Sequence, residues 1–264
     1  MKYYVVDAFA DAVFKGNPAG VCLLEGECDA AMMQNIAAEN NLSETAFVTK
    51  REGYYDLRWF TPKVEIDLCG HATLGSAYVV MNYLETAATE VHFETKSGRL
   101  TVKRRGDLYE LDFPVRKNEQ IKVTAEMELA INTPILEVYS SNHSRDLLLL
   151  LENERQIKDV SPDFALLKEL ASHAVTITAK GDTVDFVSRF FAPNMGVAED
   201  PVTGSAHTGL IPLWAERLNK KKMTAVQLSK RSGTLFCEEC GDRVKIAGKA
   251  ILYLQGEIFI SGTV

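Results

Sequence analysis

The sequence predicts an α+β protein of two related halves, each a strand-rich, barrel-like sheet wrapped around a central apolar helix. Three observations lead there. The segment from Ala72 to Leu84 carries apolar or small residues all the way round (Ala72, Leu74, Gly75, Ala77, Val79, Val80, Met81, Leu84), and a helix without a polar face needs protein on every side. Short β-prone runs separated by turn residues lie around it and can supply that cover. The motif order also repeats. Phe60-Thr61-Pro62 matches Phe191-Ala192-Pro193, Gly70-His71-Ala72 matches Gly204-Ser205-Ala206, and Gly75 and Leu84 match Gly209 and Leu218. Ser97-Gly98-Arg99-Leu100 with Gly106-Asp107 then matches Ser232-Gly233-Thr234-Leu235 with Gly241-Asp242. The offset is 131 at the first match and 134 or 135 afterwards, close to half the chain. A self-match of that period marks a duplicated module. The expected modules are residues 1–117 and 118–264, joined near Arg116 to Gln120, with the last strand able to return to the first module.

In chain order, a strand from Tyr3 to Phe9 is followed by a polar turn at Lys15-Gly16-Asn17-Pro18-Ala19-Gly20 and a second strand from Val21 to Leu24. Asp29 can cap a helix reaching Asn40, with Met32, Met33, Ile36 and Ala37 as its apolar stripe. The stretch Asn41-Leu42-Ser43-Glu44-Thr45-Ala46-Phe47-Val48 then reads as a strand. Its period of two puts Leu42, Glu44, Ala46 and Val48 on one face, so a single carboxylate stands in an apolar row. An alternating strand from Tyr54 to Phe60 leads to the central helix. Strands at Val91 to Thr95, Arg99 to Lys103 and Leu108 to Phe113 close the first half. The second half is expected to contain a helix from Thr124 to Ile131, strands at Ile135 to Ser140 and Leu147 to Leu151, and a helix to Leu170 begun by Ser161-Pro162. Strands at Ala174 to Ala179 and Asp185 to Phe191 precede the second central helix. Pro212 falls inside that helix and should kink or interrupt it, at a cost of about 3 kcal/mol unless packing compensates.

Of the 264 residues, 46% are hydrophobic and 25% charged, an ordinary globular composition. The net charge of −7 comes with interspersed signs and no basic stripe, which argues against a nucleic-acid partner. Asp7 precedes any apolar run long enough for a signal peptide, and the longest such run, Leu147 to Leu151, is far too short to span a bilayer. The expectation is a cytoplasmic protein without a membrane partner. Five cysteines, an odd number, suit a reducing compartment. Cys237 and Cys240 form half of a zinc pattern with no second half, so no metal is expected.

The chemistry gathers at the two helix starts. Helix N-termini expose backbone N–H groups and a partial positive charge, which hold carboxylates and developing oxyanions. Cys69 and His71 decorate the first, and Asp200, Thr203, Ser205 and His207 the second. Neither loop is a phosphate loop, because no lysine and hydroxyl residue follow the second glycine, and no G-x-G-x-x-G follows a strand. A carboxylate desolvated without a paired cation is pushed toward neutral-pH proton transfer, which makes Glu44 the candidate general acid/base. The alternative is a rim glutamate held by a backbone amide or a lysine. His71 is either a helix cap or part of the site, Cys69 either a packed hydrophobe or a reactive thiol, and His207 open. His92, His143 and His173 stand in no constellation.

Phe14-x-Gly16-Asn17-Pro18-Ala19-Gly20-Val21, Asn41-Leu42-Ser43-Glu44-Thr45, Phe60-Thr61-Pro62, Cys69-Gly70-His71-Ala72-Thr73 and Glu199-Asp200-Pro201-Val202-Thr203-Gly204-Ser205-Ala206 together resemble the PhzF-like phenazine-biosynthesis isomerase family. The resemblance implies a diaminopimelate-epimerase-type fold, a site in the cleft between two pseudo-symmetric domains, and a homodimer. It implies isomerisation of a small carboxylic acid, such as trans-2,3-dihydro-3-hydroxyanthranilate, with neither metal nor cofactor. The family's catalytic glutamate, histidine, aspartate and serine fall on Glu44, His71, Asp200 and Ser205. Asn17, Ser43, Gly70, Ala72, Gly204 and Ala206 are the expected substrate-binding positions. More distant racemases and epimerases use two thiols, but Thr203 stands opposite Cys69 in the repeat. A threonine hydroxyl is far too weak an acid for that role. Two other readings stay open: an epimerase using Cys69, and a non-catalytic small-acid binding protein.

Overall fold

Strand β1 (Lys2–Ala8) opens the chain and is almost wholly buried beyond its first two residues, as expected of a strand with neighbours on both edges. The computed structural model describes residues 1–141, 146–171 and 173–260. They divide into two units, Met1–Asp112 with the chain from Ala247 onward, and Phe113–Ile246. In the first unit β1 is followed by β2 (Asn17–Leu24), α1 (Ala30–Asn40), β3 (Glu44–Lys50), β4 (Tyr55–Phe60), β5 (Glu65–Ile66), α2 (Gly70–Val79), β6 (Glu90–Thr95), β7 (Gly98–Arg105) and β8 (Leu108–Pro114). The pairs run antiparallel for β1 with β2, parallel for β2 with β3, antiparallel for β3 with β4 and β4 with β5, parallel for β4 with β6, and antiparallel for β6 with β7. On its other edge β1 pairs antiparallel with the chain's last strand, Ala250–Glu257.

The second unit holds β9 (Asn118–Ile121), α3 (Ala125–Ile131), β10 (Glu137–Ser141), β11 (Leu147–Leu150), α4 (Glu154–Asp159), α5 (Phe164–Leu170), β12 (Val175–Lys180), β13 (Phe186–Ala192), β14 (Val197–Asp200), α6 (Gly204–Leu218), β15 (Lys222–Gln227) and β16 (Gly233–Cys240). From β10 to β16 its pairs follow the same succession: antiparallel, parallel, antiparallel, antiparallel, parallel, antiparallel. β9 stands against β10 as the last strand stands against β1. The sequence repeat is therefore a repeat of topology.

Helix α2 behaves as a helix without a polar face should: eight of its ten residues are buried, against β1, β2, β3, β7 and the last strand. After Val79 the helix loosens into a π-turn over Val80–Leu84. The other face of this sheet is covered by α1, whose Met33, Ile36 and Ala37 pack with Cys22, Phe47 and Phe60. Since Phe47 faces α1, the alternate residues Glu44, Ala46 and Val48 face α2. Leu42 lies before the strand, so Glu44 is the first residue of its row. Asp29 caps α1 by accepting from Met32 N at 2.7 Å, and Asn41 ends it in the left-handed conformation that asparagine tolerates.

Four expectations need correction. The polar turn is shorter than the sequence suggests, because β2 already begins at Asn17. Pro18 is tolerated there because its partner on β1 is Asp7 while pairing with β3 starts only at Ala19. Arg116 to Gln120 is not a free linker, since Asn118–Ile121 forms β9. The cap of α5 is Asp163, which accepts from Ala165 N and Leu166 N, rather than Ser161-Pro162, and the short helix α4 precedes it.

The fourth concerns Pro212, which leaves α6 unbroken over 15 residues. Proline cannot donate to the carbonyl one turn earlier, that of Thr208. Arg116 N donates to it instead, at 3.2 Å. Asn118 Nδ2 donates to the adjacent Gly209 carbonyl at 3.1 Å. A Cβ at Gly209 would stand 2.9 Å from that Nδ2, so the glycine admits the contact.

Candidate active site

In the first unit, β3 and α2 bring Glu44, Cys69 and His71 together. His71 is the second residue of α2 and is buried; its Nε2 lies 3.0 Å from Glu44 Oε2. Its Nδ1 is 3.2 Å from Asn17 Nδ2 and 3.5 Å from Cys69 Sγ. Asn17 is fully buried at the head of β2. Burial opposes charge on His71, but its neighbours Cys69 and Glu44 outweigh that cost and hold it well above its ordinary value. Burial also pushes the Cys69 thiol up. Glu44 is no rim residue held by a lysine. Its Oε2 is buried and lacks a hydrogen-bond partner, with His71 Nε2 3.0 Å away. Cys69 occupies the N-cap of α2 without a side-chain cap bond. Ser43 is half-buried just before β3, Gly70 is half-buried at the start of α2, and Ala72 is buried within it.

In the second unit, β14 and α6 carry Asp200, Thr203 and Ser205. Thr203, again an N-cap without a side-chain cap bond, donates its hydroxyl to Asp200 Oδ2. Gln227, fully buried on β15, was not signalled by the sequence. Its Oε1 accepts from Thr203 N at 2.8 Å and its Nε2 donates to the Asp200 carbonyl at 2.8 Å, which fixes the loop. Ser205 is half-buried on the first turn, beside the buried Gly204 and Ala206.

A duplicated clamp holds both loops, and it too was missed. Arg58 grips Glu65 through two hydrogen bonds of 2.7 and 3.0 Å, and Arg189 grips Glu199 at 2.7 and 3.1 Å. Each guanidinium lies over the phenylalanine two residues on, 5.2 Å from the Phe60 centroid and 5.0 Å from that of Phe191. Each pair ties the strand before the loop to the short strand that enters it.

The remaining histidines sort by burial. His207 is fully buried; its Nδ1 is 2.8 Å from the Thr203 carbonyl, and burial pushes it down to about 4. It is neutral and structural. The unfolded chain binds this proton near pH 6.5 and the folded chain only near pH 4. This histidine's stabilising share is thus complete above the unfolded value and is lost as pH falls, a difference of about 3 kcal/mol across that window. Urea titrations of wild type and His207→Asn should diverge in slope between those limits; parallel profiles would contradict the assignment. His173 does stand in a constellation, against expectation. Asp146, buried at the start of β11, draws in His173 and Arg116 together, the first at 2.5 Å. His92 meets only Thr101 and Glu90, and His143 lies outside the described residues.

Among the described residues, one group of three donors could hold a metal ion, Glu44 with Cys69 and His71, and no helix is long and apolar enough to cross a membrane. The paired motif helices and duplicated sheet define an isomerase- and epimerase-like fold. A hydroxyproline epimerase from Agrobacterium vitis shares it with a TM-score of 0.62 at 11% identity, covering 97% of this chain and 91% of that one. The chain belongs to the phenazine biosynthesis-like PhzC-PhzF family, whose profile matches residues 6–256. A PhzF family protein of Enterococcus faecalis has a crystal structure that superposes with a TM-score of 0.95 at 50% identity, over 98% of this chain and 99% of that one. An uncharacterised isomerase of Pseudomonas aeruginosa is 48% identical over 260 residues, 98% of this chain and 99% of its own.

Proposed function

We propose that the protein is an isomerase of a small carboxylic acid, working by one-base proton transfer without metal or cofactor. The observation that carries this reading is the half-buried Glu44 carboxylate, whose Oε2 is buried without a hydrogen-bond partner and faces His71. Glu44 removes an acidic C–H proton and returns it to another carbon on the same face. His71 stands beside the Glu44 carboxylate, and the start of α2 at Gly70 and Ala72, an N-terminus without a side-chain cap bond, suits the substrate's carboxylate. Asp200 and Ser205 enter the proposal through the family resemblance, as groups that bind and polarise the amino or hydroxyl function. The same source supplies the homodimer, while the cytoplasmic setting rests on the sequence, with its odd count of five cysteines. The raised Cys69 thiol counts against the epimerase reading, since a thiolate is the form that takes a proton.

The test is proton NMR in D2O with trans-2,3-dihydro-3-hydroxyanthranilate beside a panel of amino and hydroxy acids. Rearrangement of the ring acid is the expected result. Deuterium entry at a single stereocentre of a panel acid, dependent on Cys69, would replace this reading with epimerisation.

A further inference from the structure

We propose that Glu44, Cys69 and His71 form a binding site for a soft divalent cation, zinc above all, and that filling it silences the base. Their donor atoms lie within 4.8 Å of one another, with 3.0 Å from His71 Nε2 to Glu44 Oε2 and 4.0 Å from Nε2 to Cys69 Sγ. Tetrahedral zinc, with bonds of about 2.0 to 2.3 Å, asks for donors roughly 3.3 to 3.7 Å apart. Adjustments of about an ångström meet that requirement. The Oε2 lone pairs, spent on no hydrogen bond, are available to the metal. One thiolate, one imidazole and one carboxylate suit zinc and exclude magnesium and calcium, which require oxygen donors. Three protein ligands leave the fourth position to water.

Binding replaces the Cys69 S–H bond by a metal–sulfur bond and the His71 Nε2–H bond by a metal–nitrogen bond, and releases both protons to solvent. The same step occupies the carboxylate oxygen that would accept the substrate's proton. The inhibition rests on the role proposed for Glu44; the binding does not.

The experiment is a zinc titration of the full chain against a chromogenic chelator, with cobalt as a spectroscopic probe. One zinc per chain is expected, weakened more than about tenfold in Cys69→Ser and in Glu44→Gln. Cobalt should give a thiolate charge-transfer band in the wild type and in Cys28→Ser/Cys240→Ser, and none in Cys69→Ser. Should Cys69→Ser not fold, the band in the double variant still carries the test, because Cys22 and Cys237 are buried elsewhere in the fold. No band, or zinc affinity indifferent to Cys69, overturns the site. Zinc bound through Cys69 with proton exchange undiminished overturns the inhibition and counts against Glu44 as the base.

Discussion

Replacing Glu44 by glutamine is expected to lower substrate C–H exchange in D2O by about 10² to 10⁴-fold, the usual contribution of a positioned general base, with substrate binding kept. Glutamine preserves the shape of the side chain and removes only its ability to take a proton. The same variant carries a second readout that needs no substrate. In the wild type the neighbouring Cys69 and Glu44 hold His71 well above its ordinary value despite its burial. Without the Glu44 carboxylate one of those two supports is gone, and the His71 titration, followed by nitrogen-15 NMR, should fall from its wild-type value. The linkage changes with it. A raised histidine contributes stability that is whole below its unfolded value near 6.5 and disappears as pH rises through the raised folded value. In Glu44→Gln that contribution should be reduced on the acid side. A His71 that stays cationic in the variant would mean that Cys69 supplies the negative charge, and unchanged exchange would remove Glu44 from the mechanism.

The second large effect is expected at Gly16→Ala. Gly16 has a φ of +63°, and a Cβ there would stand 2.1 Å from the Ala8 carbonyl oxygen. Backbone strain and enforced displacement together should cost about 2 to 6 kcal/mol. Gly53 supplies the control: its φ of +79° is just as left-handed, but a Cβ there meets nothing within 4 Å. Gly53→Ala should therefore cost only about 1 kcal/mol. Urea midpoints compare the two directly, and equal losses would show that the Ala8 contact does not matter. Because Asn17 follows Gly16 and touches His71, the first substitution should also depress exchange where the second leaves it alone.

Much of this molecule is legible in its sequence, for reasons that differ from place to place. The central helices show themselves because burial on all sides leaves no room for a polar stripe. Glu44 shows itself because alternation places one carboxylate among apolar neighbours. Asn17 misleads: glycine, asparagine and proline spell a turn, and only pairing with β1 draws Asn17 and Pro18 into a strand. The Arg58 and Arg189 clamps keep the offset of 131, but two charged residues in an alternating strand look like solvent-facing positions until their acids are found. Those acids, Glu65 and Glu199, are 134 apart. The three extra residues fall between Pro193 and Glu199, where the chain makes a single 3-10 turn at Pro193–Met195 before β14. That segment is where the repeat slips from one offset to the next. Gln227 has no counterpart in the first half, and no local pattern points to it.

The proline in α6 bears on how the protein folds. A helix normally completes its hydrogen bonds from residues four apart and so can form early and alone. Here the Thr208 carbonyl of α6 takes its donor from Arg116, and Asn118, 91 residues from Gly209 in the chain, adds a bond at the next carbonyl. Closing so long a loop has an entropic cost of its own and slows folding. The turn of α6 at Thr208 is therefore fully bonded only when the chain at Arg116–Asn118 lies against it.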